Sequence, residues 1–361
     1  MSRERILEVE QLRGLAFLAV VLQHSVAHYS VEPGMTSGDG IWMAVVLMLT
    51  KFAVPVFIFL TGLVLFYNDH DGFQYSKFIK KRFGDIYVPF AIWTFITILI
   101  NRGFHPFMWG DWYQLGQVLI TGKASSHFWY IIMLFQFYLL YPLFRSVILA
   151  VRNKWSTRTQ WFAVVAAGAL YVVLTGLIHD ISRWMEHMPL TLPVISDLLT
   201  TYADRNALYY YFYFVLGAAA GLYHREWKNG LHKARLLIWG TFAVLFIWRL
   251  VEVIQEIQSK SGEGITFYSL NLLQPGMALF LISSILAMYD MAVWICRKAG
   301  ARTKAVLSSI GLYSYGAYLM HLLTLRFSYV VDEAWLTAAH PLIRIVASWL
   351  ISVIAAYAVQ D

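Results

Sequence analysis

A chain of 361 residues that is 59% hydrophobic and only 14% charged is not a water-soluble domain. Soluble domains carry about 25% charged residues and avoid extended apolar surfaces. Its net charge of +7 comes without a basic face on any soluble stretch, which excludes nucleic-acid binding, and the single cysteine, Cys296, excludes an intrachain disulfide.

Crossing a bilayer takes about 20 mostly apolar residues in a helix. Ten segments qualify in chain order: 10–29, 43–66, 86–101, 128–149, 161–179, 207–223, 235–254, 267–289, 307–330 and 342–359. The expected fold is therefore all-α, a polytopic membrane protein of about ten transmembrane helices forming one membrane-embedded domain over residues 1–361. The first apolar run contains Arg13 and has no small-residue cleavage site, so it reads as a retained spanning helix rather than a signal peptide. Segment 112–122 is too short to span and reads as re-entrant or interfacial. Segment 74–84, with aromatics on one side and Lys77, Lys80, Lys81 and Arg82 on the other, reads as a short interfacial helix.

Basic residues orient such a chain. With ten spans and both termini in the cytoplasm, the clusters at 77–82, 152–158, 225–235 and 297–304 all face inward. Only Arg102, Lys123, Arg183, Arg205, Lys260, Arg326 and Arg344 lie on the opposite side. The expected location is the cell membrane, as a multi-pass protein.

Ionisable groups within a bilayer cost about 2.5–3.5 kcal/mol on insertion scales, so each asks for a reason. Arg13 and His24 stand eleven residues apart on the first segment. At 100° and 1.5 Å per residue they share one helix face, about 16 Å apart along the axis. His321, on the ninth segment, falls at a depth of about 20 Å, matching about 21 Å for His24. The two imidazoles are thus placed either to converge on one cavity or to serve separately as buried, satisfied histidines. No third ligand stands at metal spacing, so no metal is expected. Lys51 is near enough to the expected outer end of its helix to snorkel. Arg249 and Glu252, at i,i+3, either neutralise each other or, with Asn271 and Gln274, line a polar cavity.

Several stretches resemble the acyltransferase 3 family of integral membrane acyltransferases. Glu10-Gln-Leu-Arg13-Gly14 followed by His24 resembles its Arg-x10-His signature. Pro55-Val-Phe-Ile-Phe-Leu-Thr61-Gly62 is similar to its Phe-rich run ending in Ser/Thr-Gly, and Lys80-Lys81-Arg82 to its basic motif. His127-Phe-Trp129-Tyr with Tyr138-Leu-Leu-Tyr141-Pro142, and Ser314-Tyr315-Gly316-Ala-Tyr318-Leu-Met-His321, resemble its later elements. The motifs occur in order along essentially the whole chain.

The resemblance implies transfer of an acyl group, usually acetyl, from cytoplasmic acyl-coenzyme A to a hydroxyl of a cell-surface or lipid-linked saccharide (polysaccharide O-acetylation). No permanently bound cofactor is implied. Arg13 and His24 correspond to the family's functional pair. His24 is expected as general base, His321 as its partner in orienting acceptor or oxyanion, and Arg13, Lys80, Lys81 and Arg82 as the donor-binding cations. Glu10, His127, Trp129 and Tyr318 are the candidates for acceptor contact. Asp85 stands where the family often has a further arginine, a departure shared with the branch resembling the polysaccharide intercellular adhesin acyltransferases. Many relatives carry a fused extracytoplasmic domain. Here Asp361 follows the tenth segment directly, so direct delivery or a separate extracytoplasmic partner is expected. The rival reading is a transporter of saccharides or small molecules, which would have no reason to bind acyl-coenzyme A.

Overall fold

The computed structural model describes residues 5–70, 72–103, 112–187, 197–259, 265 and 267–359. In chain order the helices are α1 (Leu7–Tyr29), α2 (Ser37–Thr50), α3 (Ala53–Tyr67), α4 (Tyr75–Arg82), α5 (Val88–Arg102), α6 (Trp112–Thr121), α7 (Trp129–Lys154) and α8 (Thr157–Glu186). They continue with α9 (Tyr211–Leu222), α10 (His224–Lys233), α11 (Arg235–Ser259), α12 (Pro275–Lys298), α13 (Ala301–Trp335) and α14 (Pro341–Ala358). No strand occurs among the described residues.

Seven helices among these residues are long and apolar enough to cross a membrane, and the shorter Ala207–Leu222 is also apolar. The chain is an all-α polytopic membrane protein. Two expected spans, α1 and α13, fall outside the seven. They are long but carry Glu10, Gln11, Arg13, His24 and Ser308, Ser314, His321, Asp332. Many of these polar groups point inward: Gln11, Ser314, His321 and Asp332 are all buried. By contrast Leu236, Val244 and Ile247 of α11 and Phe162, Val165 and Leu170 of α8 stand outward, the arrangement lipid favours and water does not.

Packing divides the chain into two units, Met1–Thr61 with Tyr223–Asp361, and Gly62–Leu222. In the first, α1 packs against α13, α14, α12 and α2, and α11 against α12 and α2. Gly14 and Gly311 allow the closest approach. A Cβ at Gly14 would lie 2.5 Å from the Leu307 carbonyl, and one at Gly311 would collide with the Glu10 carbonyl. Small residues at a membrane helix interface let backbones meet in this way. In the second unit Gly62 and Gly221 do the same between the 62–67 end of α3 and α9, against the carbonyls of Phe214 and Leu63.

Three boundaries differ from the sequence expectation, each for a local reason. The segment expected to run from 43 to 66 starts at Ser37, because Thr36 and Asp39 form a reciprocal capping box, and it breaks after Thr50. Pro55 supplies no N–H to the carbonyl of residue 51, and its ring crowds that carbonyl, so the turn opens at 51–52 before α3 resumes. The segment expected from 267 begins as a helix only at Pro275, which takes the first helical position while Gln274 stays extended. The 267–274 stretch is held by Glu256, whose carboxylate accepts from the Tyr268 and Ser269 backbone N–H groups, each at 2.8 Å. Finally, the basic segment 74–84 is helical over Tyr75–Arg82 as expected but does not stand apart. It continues through the π-helical turn Phe83–Tyr87 into α5. Residues 188–196, between α8 and α9, lie outside the described residues.

Candidate functional site

Helix α1 is tied down along its length, which sets the direction of its polar face. Near its start Gln11 Nε2 donates to the Lys304 carbonyl at 3.0 Å and to Ser308 Oγ at 2.8 Å on α13. Further along, Trp349 Nε1 of α14 donates to the Leu18 carbonyl at 3.0 Å, and Ser25 Oγ to the Ile345 carbonyl at 2.9 Å. At its far end the Tyr29 hydroxyl lies 2.7 Å from Ser348 Oγ. Each bond satisfies a polar group that lipid would leave bare.

So held, α1 brings His24 against His321 of α13, with ring centroids 5.1 Å apart and planes inclined at 46°. His321 is fully buried, and its Nδ1 donates to the Tyr318 carbonyl at 2.6 Å. A carbonyl only accepts, so the proton of a neutral ring sits on Nδ1, and Nε2 offers a lone pair. The carbonyl of His321 accepts in turn from Thr324 Oγ1 at 2.9 Å and Ser352 Oγ at 3.3 Å. The Tyr318 ring is 5.3 Å from that of His321 and packs edge-on to Phe57 of α3 at 6.4 Å. On the other flank Tyr329 stacks on His28 at 3.6 Å and donates to the His24 carbonyl at 3.4 Å.

Arg13 is half-buried on the same continuous α1, and among the described residues it makes no ion pair or hydrogen bond. Its spacing from His24 gives about 16 Å of axial separation. Glu10 lies one turn before Arg13 and pairs with Arg5, at the opposite end of α1 from Tyr329. It does not join the imidazoles.

Lys51 was read from sequence as a snorkelling residue. It sits instead at the C-terminal end of α2, fourteen positions after Ser37 and about 21 Å along the axis. Gln23 Nε2, beside His24, donates to the carbonyl of Thr50, beside Lys51. Lys51 and His24 thus flank the two ends of one bond between α2 and α1. The signal that could have found it was Pro55, four residues on.

Arg249 and Glu252 form the i,i+3 ion pair, and Arg249 also donates to the Ser269 carbonyl and, at 3.1 Å, to Gln274 Oε1. These groups anchor the 267–274 stretch.

In the second unit the basic motif divides. Lys80 and Lys81 are exposed, whereas Arg82 lies across the rings of Phe78 and Tyr138, at 5.4 and 5.2 Å. Its buried Nε–H has no acceptor among the described residues. Arg82 lines a cavity of about 160 Å³ with Asp69, His70, Phe73, Phe78 and Tyr141. Arg145 holds Asp69 through two hydrogen bonds of 2.7 and 3.1 Å, and the Tyr141 hydroxyl reaches the same carboxylate at 3.3 Å. Tyr138 and Tyr141 come from the motif ending in Pro142, and Asp85 is exposed in the π-helical turn. His127 is buried, with Nδ1 3.0 Å from Ser125 Oγ, and Trp129 lies 6.0 Å from the Tyr210 ring.

Among the described residues no group of three His, Cys, Asp or Glu side chains is placed to hold a metal ion. Neither a curated protein nor a solved structure matches the chain significantly. A family model described as an acyltransferase domain matches residues 6–360. The polar helices α1 and α13, with the Arg-x10-His pair on the first and the Tyr-Leu-x-His end on the second, lie inside that match, and the chain belongs to the acyltransferase 3 family.

Proposed function

We propose that the protein takes an acyl group, acetyl by default, from cytoplasmic acyl-coenzyme A and transfers it to a hydroxyl of a saccharide on the far side of the cell membrane. One observation carries the reading: His24 and His321, on the two polar helices outside the seven apolar spans, meet with ring centroids 5.1 Å apart. An imidazole shielded from water and able to exchange a proton is what hydroxyl activation needs.

In this mechanism coenzyme A stays at the inner surface with both chain termini. Cations suit its phosphates: in the first unit the candidate is Arg13 on α1, and in the second the candidates are Arg82 in its aromatic cavity and Lys80 and Lys81 at the surface. The pantetheine arm extends along the face shared by Arg13 and His24, whose axial separation of about 16 Å suits its length. His24 removes the acceptor proton. His321, its tautomer set by the Tyr318 carbonyl, positions the acceptor hydroxyl. Tyr318 lines the acceptor side of the imidazole pair, and His127 and Trp129 supply a polar ring and a stacking face for sugar. Glu10, paired with Arg5, supports the inner end of α1. A separate extracytoplasmic partner can receive the product.

Incubating membranes with radiolabelled acetyl-coenzyme A tests this directly. Label is expected to pass into a saccharide-containing fraction, and recovery of all label as free coenzyme-bound acetyl would refute it. Two substitutions test the donor path. Arg13→Ala is expected to raise the donor KM about 10- to 100-fold, the loss of a charged hydrogen bond, with little change in kcat. An unchanged KM removes Arg13 from the donor site. Arg82→Ala should raise the same constant at least tenfold, and Lys80→Ala less than threefold, because of these two Arg82 is the one with a buried N–H that has no acceptor among the described residues. Equal effects of the two would show a diffuse surface charge instead.

A further inference from the structure

The break between α2 and α3 puts a cation where the proposed reaction develops negative charge. Pro55 opens the turn at 51–52, deep within a 31-residue apolar span. A proline break of this kind releases backbone from the helical ladder, and a neighbouring helix must take up the released carbonyls. Pro55 leaves the Lys51 carbonyl without its helical donor, and Gln23 donates to the adjacent Thr50 carbonyl. That bond locks the register between α1 and the break, with His24 next to Gln23 and Lys51 next to Thr50. Lys51 is half-buried, and among the described residues it has no carboxylate or hydrogen-bond partner. A lysine serving only solubility would run to the headgroups, and one serving only packing would be neutralised by an acid. Neither describes Lys51.

We propose that Lys51 is a catalytic residue, whose ammonium, set beside His24 by the proline break and the Gln23–Thr50 bond, stabilises the oxyanion formed when the acceptor adds to the thioester. The inference rests on the acyl-transfer reading above. As His24 takes the proton of the acceptor hydroxyl, the oxygen bonds to the acyl carbon, and the carbonyl π pair moves onto its oxygen against the Lys51 ammonium. Collapse of the tetrahedral intermediate re-forms the C=O bond and breaks the C–S bond. The coenzyme thiolate leaves and takes the proton back from the His24 imidazolium. The positive charge is thus bound to the transition state and not to the ground-state thioester, and it acts where water is excluded.

The test uses the full-length protein in native membranes with radiolabelled acetyl-coenzyme A, and a non-cleavable thioether analogue of acetyl-coenzyme A to read donor binding. Lys51→Met is expected to lower the rate at saturating donor by about 10²- to 10³-fold, as loss of one oxyanion donor does. It should leave the Kd of the thioether analogue within threefold. Lys51→Arg should retain at least tenfold more rate than Lys51→Met. Should Lys51→Met fail to accumulate, Lys51→Gln, read against Lys51→Arg, applies the same criterion. A neutral variant keeping a third or more of the wild-type rate overturns the assignment. A rate loss that high donor restores overturns it as well, because Lys51 would then be a binding group. Wild-type protein that transfers no label removes the acyl-transfer reading and Lys51's role together. Transfer by wild type matched by Lys51→Met removes only the latter.

Discussion

His24→Ala is expected to lower the turnover number for acyl transfer by about 10²- to 10⁴-fold, the range supplied by a positioned general base. The protein should still insert and remain monodisperse. His24 is half-buried, and α1 is fastened by Gln11, Ser25, Tyr29 and the Trp349 bond, none of which involves the imidazole. Donor binding should change little, since the proposed mechanism brings the thioester end rather than the phosphates to the ring. Measured at saturating acetyl-coenzyme A with protein level normalised, a His24→Ala rate within threefold of wild type would remove His24 as the base. His321→Ala is a less discriminating probe, because His321 is fully buried and its removal leaves a hole between α13 and α1.

The largest structural effect is expected at Gly311. A leucine there drives its Cβ into the Glu10 carbonyl, and α1 cannot yield without releasing Gln11 from Ser308 and Lys304. Ordinary overpacking costs about 1–3 kcal/mol where side chains can move aside. Here the obstacle is backbone, so the cost exceeds that range. Gly311→Leu should therefore abolish accumulation of folded protein, or lower its melting temperature sharply and separate the imidazoles. Gly240→Leu on α11 is the control: nothing lies within 4 Å of a Cβ there, and the site is exposed. Gly240→Leu should melt with wild type. Equal melting of both variants would mean that the close approach of α1 and α13 does not hold the bundle.

Hydrophobicity was enough to find the helices, because lipid demands long apolar runs whatever their neighbours. The ionisable groups of α1 and α13 already marked both helices as asking for a reason beyond spanning. The depth argument for His24 and His321 was legible for a related reason. Rise per residue in a helix is constant, so positions along two helices can be compared before their packing is known. Which faces meet is a tertiary property. Gly14 and Gly311 carried that information, yet a glycine in a helix signals close approach only when its counterpart is known. Lys51 was misplaced because apolar residues continue smoothly past it. The true helix start at Ser37 depends on the Thr36–Asp39 cap, and the break depends on Pro55. The same blindness to proline put the start of α12 eight residues too early. Arg82 could not be told from Lys80 and Lys81 by sequence, since their difference lies in the rings of Phe78 and Tyr138, the latter far along the chain. The Arg249–Glu252 pair was legible because i,i+3 neighbours meet on any helix.

The central claim is that a thioester enters from the cytoplasmic side and meets His24 within the membrane. Sealed vesicles of defined orientation test it, with radiolabelled acetyl-coenzyme A supplied only outside. Inside-out vesicles containing the wild-type protein are predicted to label a lumenal acceptor. Right-side-out vesicles, and inside-out vesicles carrying His24→Ala, are predicted to stay at background. Equal labelling in both orientations, or labelling that His24→Ala leaves intact, would contradict it.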